Sequence, residues 1–286
     1  MNLLARRMIW RVGRKLYMRA RREERNEMST NGELRLQRLV IDQVPEHMQI
    51  TAVDVGARIG DWSKEFVQAA APRRGGYQLH AFEPAPHSVF QIQQTLENEV
   101  AAGHVVIKAI ALSNESATVP FYVPELMGGT STLHPDASIN YLHVVDVETS
   151  TLDRYCMENA IDHIDIVKID TEGNDLRVIQ GMLGMLESGK IGVVQFEYNH
   201  RWIYSRSYLK DVFDIVKNSP YSLAKVCSSA LEVYIDWHPE LERFFEANYA
   251  LVHDRHLAAL GCRFLRIGAS NTCELVEKSR ADLTVG

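Results

Sequence analysis

The chain has 286 residues, of which 46% are hydrophobic and 24% are charged, so it is globular and long enough for one large domain or two small ones. No apolar run reaches the roughly 18 residues of a membrane span, and the start lacks the pattern of a secretory signal, so we expect a cytoplasmic protein. The net charge of −6 argues against a nucleic-acid partner, and the scattered Cys156, Cys227, Cys262 and Cys273 predict buried free thiols rather than a zinc site or a disulfide framework.

The first 25 residues have a charge opposite to that of the rest. They carry nine Lys or Arg residues against Glu23 and Glu24, which is +7 and leaves −13 for the remainder. Apolar residues recur at helical spacing, at Leu4, Met8, Ile9, Val12 and Leu16. We treat residues 1–32 as a basic amphipathic arm, which either lies on an anionic membrane surface or docks loosely on the acidic body.

The next segment alternates between strands and helices. The patterns predict a helix at 33–44, a strand at 50–56, a helix at 61–71 with Asp61 as its N-cap, a strand at 77–83, a helix at 86–101 and a strand at 104–112. This alternation is typical of an α/β fold, in which helices cover a parallel sheet.

The alternation is interrupted once and then resumes. Residues 117–148 predict an inserted hairpin around the loop "GGTSTL" at 128–133. A helix is then expected at 150–160, a strand at 164–170, a helix at 174–187, a strand at 191–197, a helix at 207–217, and strands at 222–227, 231–236, 249–253 and 262–267. The main domain is assigned to residues 33–286.

Four of the predicted strands end in an acidic residue: Asp54, Glu83, Asp170 and Glu197. In an open α/β sheet the ligand crevice lies outside the carboxyl ends of the strands. We therefore expect these four carboxylates to face one crevice.

The turn "VDVGARIGDWS" at 53–63 predicts a ligand loop. Gly56 and Gly60 lack the G-x-G-x-x-G spacing of a dinucleotide site, and Asp54 would repel a phosphate. A ligand with an ammonium and a carboxylate suits the turn better, because Asp54 attracts the first and backbone N–H groups attract the second. Glu83, followed by Pro84, is placed to accept hydrogen bonds from ribose hydroxyls. An amino acid joined to a ribose through a sulfonium describes S-adenosylmethionine.

These motifs, together with "FEPAPHS", "STLDRY", "IVKIDTEGNDLRVIQG" and "VVQFEYN", resemble the FkbM family of S-adenosylmethionine-dependent methyltransferases over about residues 50–255. The resemblance implies a class I methyltransferase fold, a Rossmann-like sheet of seven strands with the last antiparallel. It also implies O-methylation of a hydroxyl on a sugar, polysaccharide or secondary metabolite. The cofactor half would be about 50–115 and the acceptor half about 117–255. The candidate cofactor-binding residues are Asp54, Gly56, Gly60, Asp61, Glu83 and Pro84.

Three positions depart from the pattern of the family. Arg58 stands where the family usually has Asn, Thr171 where it often has Val, and Asp175 where it often has Glu. Arg58 places a cation at the cofactor loop, so the way in which the methionine end is held is left open.

Methyl transfer to a hydroxyl requires a base within hydrogen-bond reach. The catalytic candidates are Asp170, Glu172 and Glu197, which match acids at the active-site rim of the family, and His200, with His143 as a further base. The base is not chosen among them. The same carboxylates are alternatively ligands of a divalent cation. Asp175 is interpreted as a helix cap, and Trp202, Tyr204 and Tyr208 suit either stacking on a sugar ring or packing on the sheet.

Two other functions are weighed. A dinucleotide-dependent oxidoreductase is opposed by the missing glycine motif. A non-catalytic methyltransferase-like module that binds a membrane through the basic arm is opposed by the intact cofactor motifs.

Overall fold

The computed structural model describes residues 1–124 and 129–277, in which ten strands form the main sheet and three form a smaller one. The strands are β1 Ile50–Val55, β2 Tyr77–Phe82, β3 Val105–Lys108, β4 Ala111–Leu112, β5 Thr118–Val123, β6 His143–Ser150, β7 Ile164–Ile169, β8 Ile191–Tyr198, β9 Tyr221–Val226, β10 Leu231–Tyr234, β11 Ala247–His253, β12 Cys262–Ile267 and β13 Cys273–Leu275. The order across the main sheet is β3-β2-β1-β7-β8-β11-β9-β10-β12-β13.

The main sheet has the α/β architecture of a class I methyltransferase. Strands β3, β2, β1, β7 and β8 are parallel neighbours, and β11 enters antiparallel between β8 and β9. These seven strands match the expected sheet, and β11 is the expected antiparallel strand. The expected total of seven was too low, because β10, β12 and β13 extend the sheet beyond β9.

Helices cover both faces of this sheet. The α-helices of the described chain are α1 Leu3–Ala20, which does not pack on the sheet, and α2 Glu33–Gln43, α3 Asp61–Ala70, α4 Pro86–Thr95, α5 Glu97–Ala101, α6 Leu152–Glu158, α7 Asp175–Gln180, α8 Leu183–Glu187, α9 Trp202–Ser205 and α10 Leu209–Val216. Residues of α2 and α3 pack into one apolar core, and residues of α6, α7, α8 and α10 pack into the other. Burial on both faces explains why strands such as β8 are apolar along most of their length.

Two predicted helices are each divided into two. The helix expected at 174–187 breaks at Gly181, where a Cβ would lie 2.0 Å from the carbonyl oxygen of Ser113, so the chain approaches its neighbour too closely for a continuous helix with side chains. The helix expected at 86–101 breaks at Leu96. The strand expected at 104–112 is also divided, because β4 leaves the main sheet and pairs with β6.

The inserted hairpin is present as β5 and β6, which pair antiparallel from Thr118↔Glu148 to Val123↔His143. Its connecting loop reaches back to the sheet, because the Thr132 hydroxyl donates to the carbonyl oxygen of Glu172 over 2.8 Å. Gly128 of the predicted loop lies outside the described residues, as do residues 278–286 of the assigned domain.

The basic segment consists of two parts that differ in their contacts, and the first part ends at Ala20. Helix α1 contains no buried residue, whereas the residues after it are tied to the body. Glu23 forms ion pairs with Lys225 and Arg243, each at 2.6 Å, and all three side chains are largely buried.

The cysteines only partly follow the expectation. Cys156 and Cys227 are buried and Cys262 is half-buried, but Cys273 is exposed because it lies on the edge strand β13. Among the residues described, no helix combines the length and the apolar character needed to cross a membrane.

Candidate active site

A cavity of about 260 Å³ opens where strands β1, β2, β7 and β8 end. Six of the ten candidate residues line it: Gly56, Glu83, Pro84, Asp170, Glu172 and Glu197. The prediction that strand-end acids share one crevice therefore holds for Glu83, Asp170 and Glu197.

Gly56 sets the shape of the turn after β1. Its φ is +78°, and a Cβ there would lie 1.9 Å from the carbonyl oxygen of Asp170, so only glycine lets the ends of β1 and β7 approach this closely. The N–H groups of Gly56 and Ala57 donate to the carbonyl oxygen of Phe82 over 2.9 and 3.0 Å. These two N–H groups are therefore used by the end of β2, and the expectation that backbone N–H groups at the start of α3 bind the carboxylate of a ligand stays a prediction.

Gly60 and Asp61 do not line the cavity and serve the start of α3 instead. Gly60, at φ +87°, is the N-cap in place of the predicted Asp61, and a Cβ on it would lie 2.7 Å from Cγ1 of Ile92. Asp61 is exposed in the first helical turn, where its charge favours the helix dipole.

Asp54 lies beneath the turn rather than in the cavity wall. Its side chain is 2% exposed, and its Oδ2 accepts a hydrogen bond of 2.6 Å from the hydroxyl of Ser63. Burial raises the pKa of Asp54 to about 6, although the charge of Lys168, its register partner on β7, opposes the shift. The predicted contact with a ligand ammonium is therefore not direct in this arrangement.

Glu83 is the carboxylate of the cofactor turn that does face the cavity. Its Oε2 accepts from the N–H of Arg58 and its Oε1 from the N–H of Ala85, both over 2.9 Å. Burial raises the pKa of Glu83 to about 7, and these two hydrogen bonds lower it by less. Each oxygen has a second lone pair, so Glu83 can accept two further hydrogen bonds from a ligand.

A buried lysine holds the acids of the opposite wall. Lys168 Nζ lies 3.1 Å from Asp170 Oδ2 and 3.9 Å from Glu33 Oε2. Burial alone would lower the pKa of Lys168, but Asp170, Glu33 and Asp54 raise it above its ordinary value. Lys168 is therefore a fixed cation beneath the cavity.

Glu172 forms an ion pair of 2.6 Å with Nε of Arg201. Burial, together with the charge of Asp170, raises the pKa of Glu172 to about 8. Asp175 is buried and accepts from the N–H of Gly173 over 3.1 Å, so it closes the turn before α7. The prediction that it caps the helix is wrong, because the N-cap is Asn174 and Asp175 is the first helical residue. Burial raises its pKa to about 7.

Glu197 at the end of β8 is held through both carboxylate oxygens. Asn26 Nδ2 donates to Oε1 and Asn199 Nδ2 donates to Oε2, each over 2.5 Å. Burial, with Asp170 and Glu172 nearby, raises the pKa of Glu197 well above its ordinary value. A carboxylate of this kind takes up a proton more readily than a solvated one.

The histidine and aromatic candidates lie outside the cavity. His200 is on an exposed turn one residue past Asn199, and His143 is exposed at the start of β6. Trp202 is fully buried and donates to the carbonyl oxygen of Glu197, while Tyr204 donates to Asp136. Tyr208 contacts Phe244 edge to face but is exposed, as is Tyr204. Of the three aromatic residues, Trp202 therefore packs on the sheet, and none of them lines the cavity.

Sequence reasoning missed several residues of the cavity wall. Asn26 and Glu246 line it and contact each other over 2.9 Å, and Asn26 reaches Glu197 from 171 residues away in the sequence. Thr171 also lines the cavity, and its buried hydroxyl has no hydrogen-bond partner. Among the missed residues around the cavity, only Lys168 has a recognisable sequence pattern, because a lysine inside the apolar strand "IDIVKID" must be either exposed or paired.

The carboxylates of this wall are partnered by cations and amides. Within residues 1–124 and 129–277, no three His, Cys, Asp or Glu side chains are grouped so as to hold a metal ion. The arrangement of the described side chains thus gives no support to the alternative of a divalent cation bound by Asp170, Glu172 and Glu197.

The profile of the methyltransferase FkbM domain matches residues 54–223, more than half of the chain. The chain belongs to this family. Over 178 residues it is 24% identical to the 2-O-methyltransferase NoeI of Sinorhizobium fredii (strain NBRC 101917 / NGR234), which covers 57% of this chain and 70% of that protein.

Solved structures align with this FkbM-family chain at low identity. An FkbM methyltransferase from Methylobacillus flagellatus KT aligns with TM-score 0.46 and 14% identity, over 71% of this chain but only 43% of that one. The N-terminal domain of human METTL16, in complex with SAH, aligns with TM-score 0.43 and 10% identity, over 77% of this chain and 68% of the other. The chain thus spans less than half of the Methylobacillus protein.

Proposed function

We propose that this FkbM-family protein is an S-adenosylmethionine-dependent O-methyltransferase that acts on a hydroxyl of a sugar, polysaccharide or secondary metabolite. The observation that carries the proposal is the single cavity that joins Glu83 to the carboxylate of Glu197. One end offers acceptors for ribose hydroxyls, and the other offers a base.

The residues present fit the cofactor. Glu83 has unused lone pairs facing the cavity, and the unpartnered hydroxyl of Thr171 is buried in the same wall. Gly56 and Pro84 line the same end of the cavity. Glu83 would hold the ribose, and Thr171 would gain the partner that it lacks. When bound, S-adenosylmethionine supplies a methyl group already activated on a sulfonium.

The protein must then hold the acceptor hydroxyl and remove its proton. We assign this role to Glu197, because the two asparagine amides fix its carboxylate and its raised pKa makes it a better base than a solvated glutamate. The O–H proton would pass to Glu197, so that the oxygen could accept the methyl group of the sulfonium, whose carbon–sulfur bond breaks to leave a neutral thioether. The ammonium of Lys168 lies beneath this wall, 3.1 Å from Oδ2 of Asp170.

Calorimetry with S-adenosylmethionine and S-adenosylhomocysteine tests the cofactor. We expect the protein to bind both, and Glu83→Ala to lose at least about tenfold in affinity because a bound hydroxyl pair loses its acceptor. Glu97→Ala on the exposed face of α5 is the matched control. Binding of NAD(H) without binding of S-adenosylmethionine would instead revive the oxidoreductase alternative.

Transfer of a labelled methyl group to extracted glycans and small metabolites tests catalysis. We expect Glu197→Gln to lose transfer while keeping its affinity for S-adenosylmethionine, and the exposed Glu187→Gln to behave as the parent. Mass spectrometry of a deletion strain identifies the acceptor as the compound that loses the mass of one CH₂ per methyl group. Cofactor binding without transfer to any fraction would favour the non-catalytic module.

A further inference from the structure

Helix α1 has an apolar face that nothing in the described chain covers. Met8, Ile9, Val12 and Leu16 are 68%, 60%, 57% and 63% exposed. Met8, Val12 and Leu16 follow one another at i, i+4 and i+8, and Ile9 lies seven residues before Leu16, so all four share one side of the helix.

The helix contacts the body through a different edge. The Tyr17 hydroxyl donates to Glu240 Oε2 over 3.0 Å, and its ring meets that of Phe245 edge to face at 6.2 Å. The guanidinium of Arg14 lies 5.7 Å from the same Phe245 ring. Arg14 and Tyr17 are three residues apart and share an edge that excludes Met8, Val12 and Leu16, so docking on the body leaves the apolar face in solvent.

The side of the helix next to the apolar face is cationic. Arg7, Arg11 and Lys15 follow one another at i, i+4 and i+8, and α1 contains no acidic residue. A nucleic acid would use these cations and leave the apolar face exposed. A second copy of α1 would cover the apolar face but bring two sets of cations together. An anionic bilayer uses both faces, because acyl chains take the apolar side chains and headgroup phosphates pair with the arginines.

We propose that α1 is a docking helix that lies in the plane of an anionic lipid bilayer. The helix is anchored rather than loosely attached, since the chain that follows it is fixed by the Glu23 ion pairs and by Asn26 on Glu197. The docking surface does not depend on the catalytic assignment.

Vesicle flotation of the full chain tests the proposal. We expect binding to vesicles of phosphatidylcholine with phosphatidylglycerol and at least about tenfold weaker binding to phosphatidylcholine alone, with a further loss in high salt. Ile9→Gln/Leu16→Gln and Arg7→Gln/Arg11→Gln should each weaken binding to the anionic vesicles by about tenfold or more. Leu142→Gln/Val144→Gln, which changes exposed apolar residues outside α1, is the matched control and should bind as the parent does.

Thermal unfolding and cofactor affinity should be the same for the parent and the α1 variants, because their side chains contact solvent. Equal flotation of the parent with both vesicle types overturns the proposal, and so does unchanged flotation of the Ile9→Gln/Leu16→Gln variant. A concentration-dependent dimer that this variant abolishes would show that a second copy, not a bilayer, covers the face.

Discussion

The two ends of the cavity are built differently. At one end, the carboxylate of Glu83 is fixed by backbone N–H groups 25 and 2 residues away in the sequence, those of Arg58 and Ala85. At the other end, the carboxylate of Glu197 is held by a side chain 171 residues away, that of Asn26. The end at Glu83 is therefore formed by residues near one another in the sequence, whereas the end at Glu197 also needs a residue from a distant part of the chain.

The difference extends to the way in which charge is balanced. Glu83 receives hydrogen bonds from neutral backbone N–H groups. Burial is the largest influence on its pKa and raises it to about 7. The acids of the opposite wall depend on buried cations, Lys168 and Arg201. We therefore expect substitutions at the acidic wall to act mainly on stability, and substitutions at the Glu83 turn to act mainly on ligand affinity.

Lys168→Met should cause the largest loss. It leaves the buried carboxylates of Glu33 and Asp54 without their cation, which costs about 3–5 kcal/mol of the free energy of unfolding near pH 8. The loss should shrink near pH 5, because Asp54, whose pKa burial raises to about 6, can then take up a proton. Urea unfolding at both pH values measures it, with the exposed Lys190→Met as control, since that residue pairs only with the exposed Asp162. An equal loss at both pH values would contradict this account of Lys168.

Gly56→Ala should cost about 3 kcal/mol, because it adds both a left-handed backbone conformation for alanine and a clash with the carbonyl oxygen of Asp170. Gly103→Ala separates the two effects. Gly103 has the same φ of +78° but no atom within 4 Å of a built Cβ, so it should cost only about 1 kcal/mol. Similar losses of unfolding free energy for the two variants would show that the close approach of β1 and β7 contributes nothing.

The sequence predicts the local end of the cavity better than the other end. The glycine turn and the acids that follow strands are contiguous patterns, so they indicated the parallel sheet and its crevice. Even there the roles differ from expectation, since Asp54 turns to Ser63 and Gly60 packs on Ile92. A side-chain hydrogen bond and a packing contact decide this, and the local sequence pattern does not show either of them.

The acidic wall shows why the rest was beyond prediction. Asn26 lies in a segment with no strand or helix pattern, and its position depends on the Glu23 ion pairs with β9 and the chain near Arg243. His200, one of the candidate bases, lies exposed on the turn after β8. This wall is held together by contacts between residues that lie far apart in the sequence, and a single sequence does not show such contacts.

The affinity for S-adenosylmethionine should depend on pH through Glu83. An ionised carboxylate accepts stronger hydrogen bonds from hydroxyls than a protonated one does, so affinity should rise as the pH passes about 7, the pKa of Glu83 in the free protein. Between pH 6 and 8 the ionised fraction increases by roughly tenfold, which sets the size of the effect. Calorimetry should show that Glu83→Gln binds more weakly and with a flatter profile. The same slope in this variant would assign the pH dependence to another group.

Arg58→Asn should have the smallest effect, but it is the most specific test of the difference between the two ends of the cavity. Arg58 has φ +52°, a conformation that asparagine adopts more easily than arginine, so the free energy of unfolding should rise by less than about 1 kcal/mol. The charge of Arg58 also lowers the pKa of Glu83. Its removal should therefore move the midpoint of the pH profile of cofactor affinity upward.

Arg206→Asn is the control for the backbone effect. Arg206 has φ +56° and is exposed away from the cavity, so this variant should gain similar stability in urea and leave the affinity profile unchanged. A shift of the profile in Arg58→Asn alone would show that the cation tunes Glu83, so that the departure from the family pattern acts on the local end of the cavity. If neither variant shifts the profile, the guanidinium serves the inserted hairpin instead, where its Cζ lies 3.1 Å from the Cβ position of Gly129.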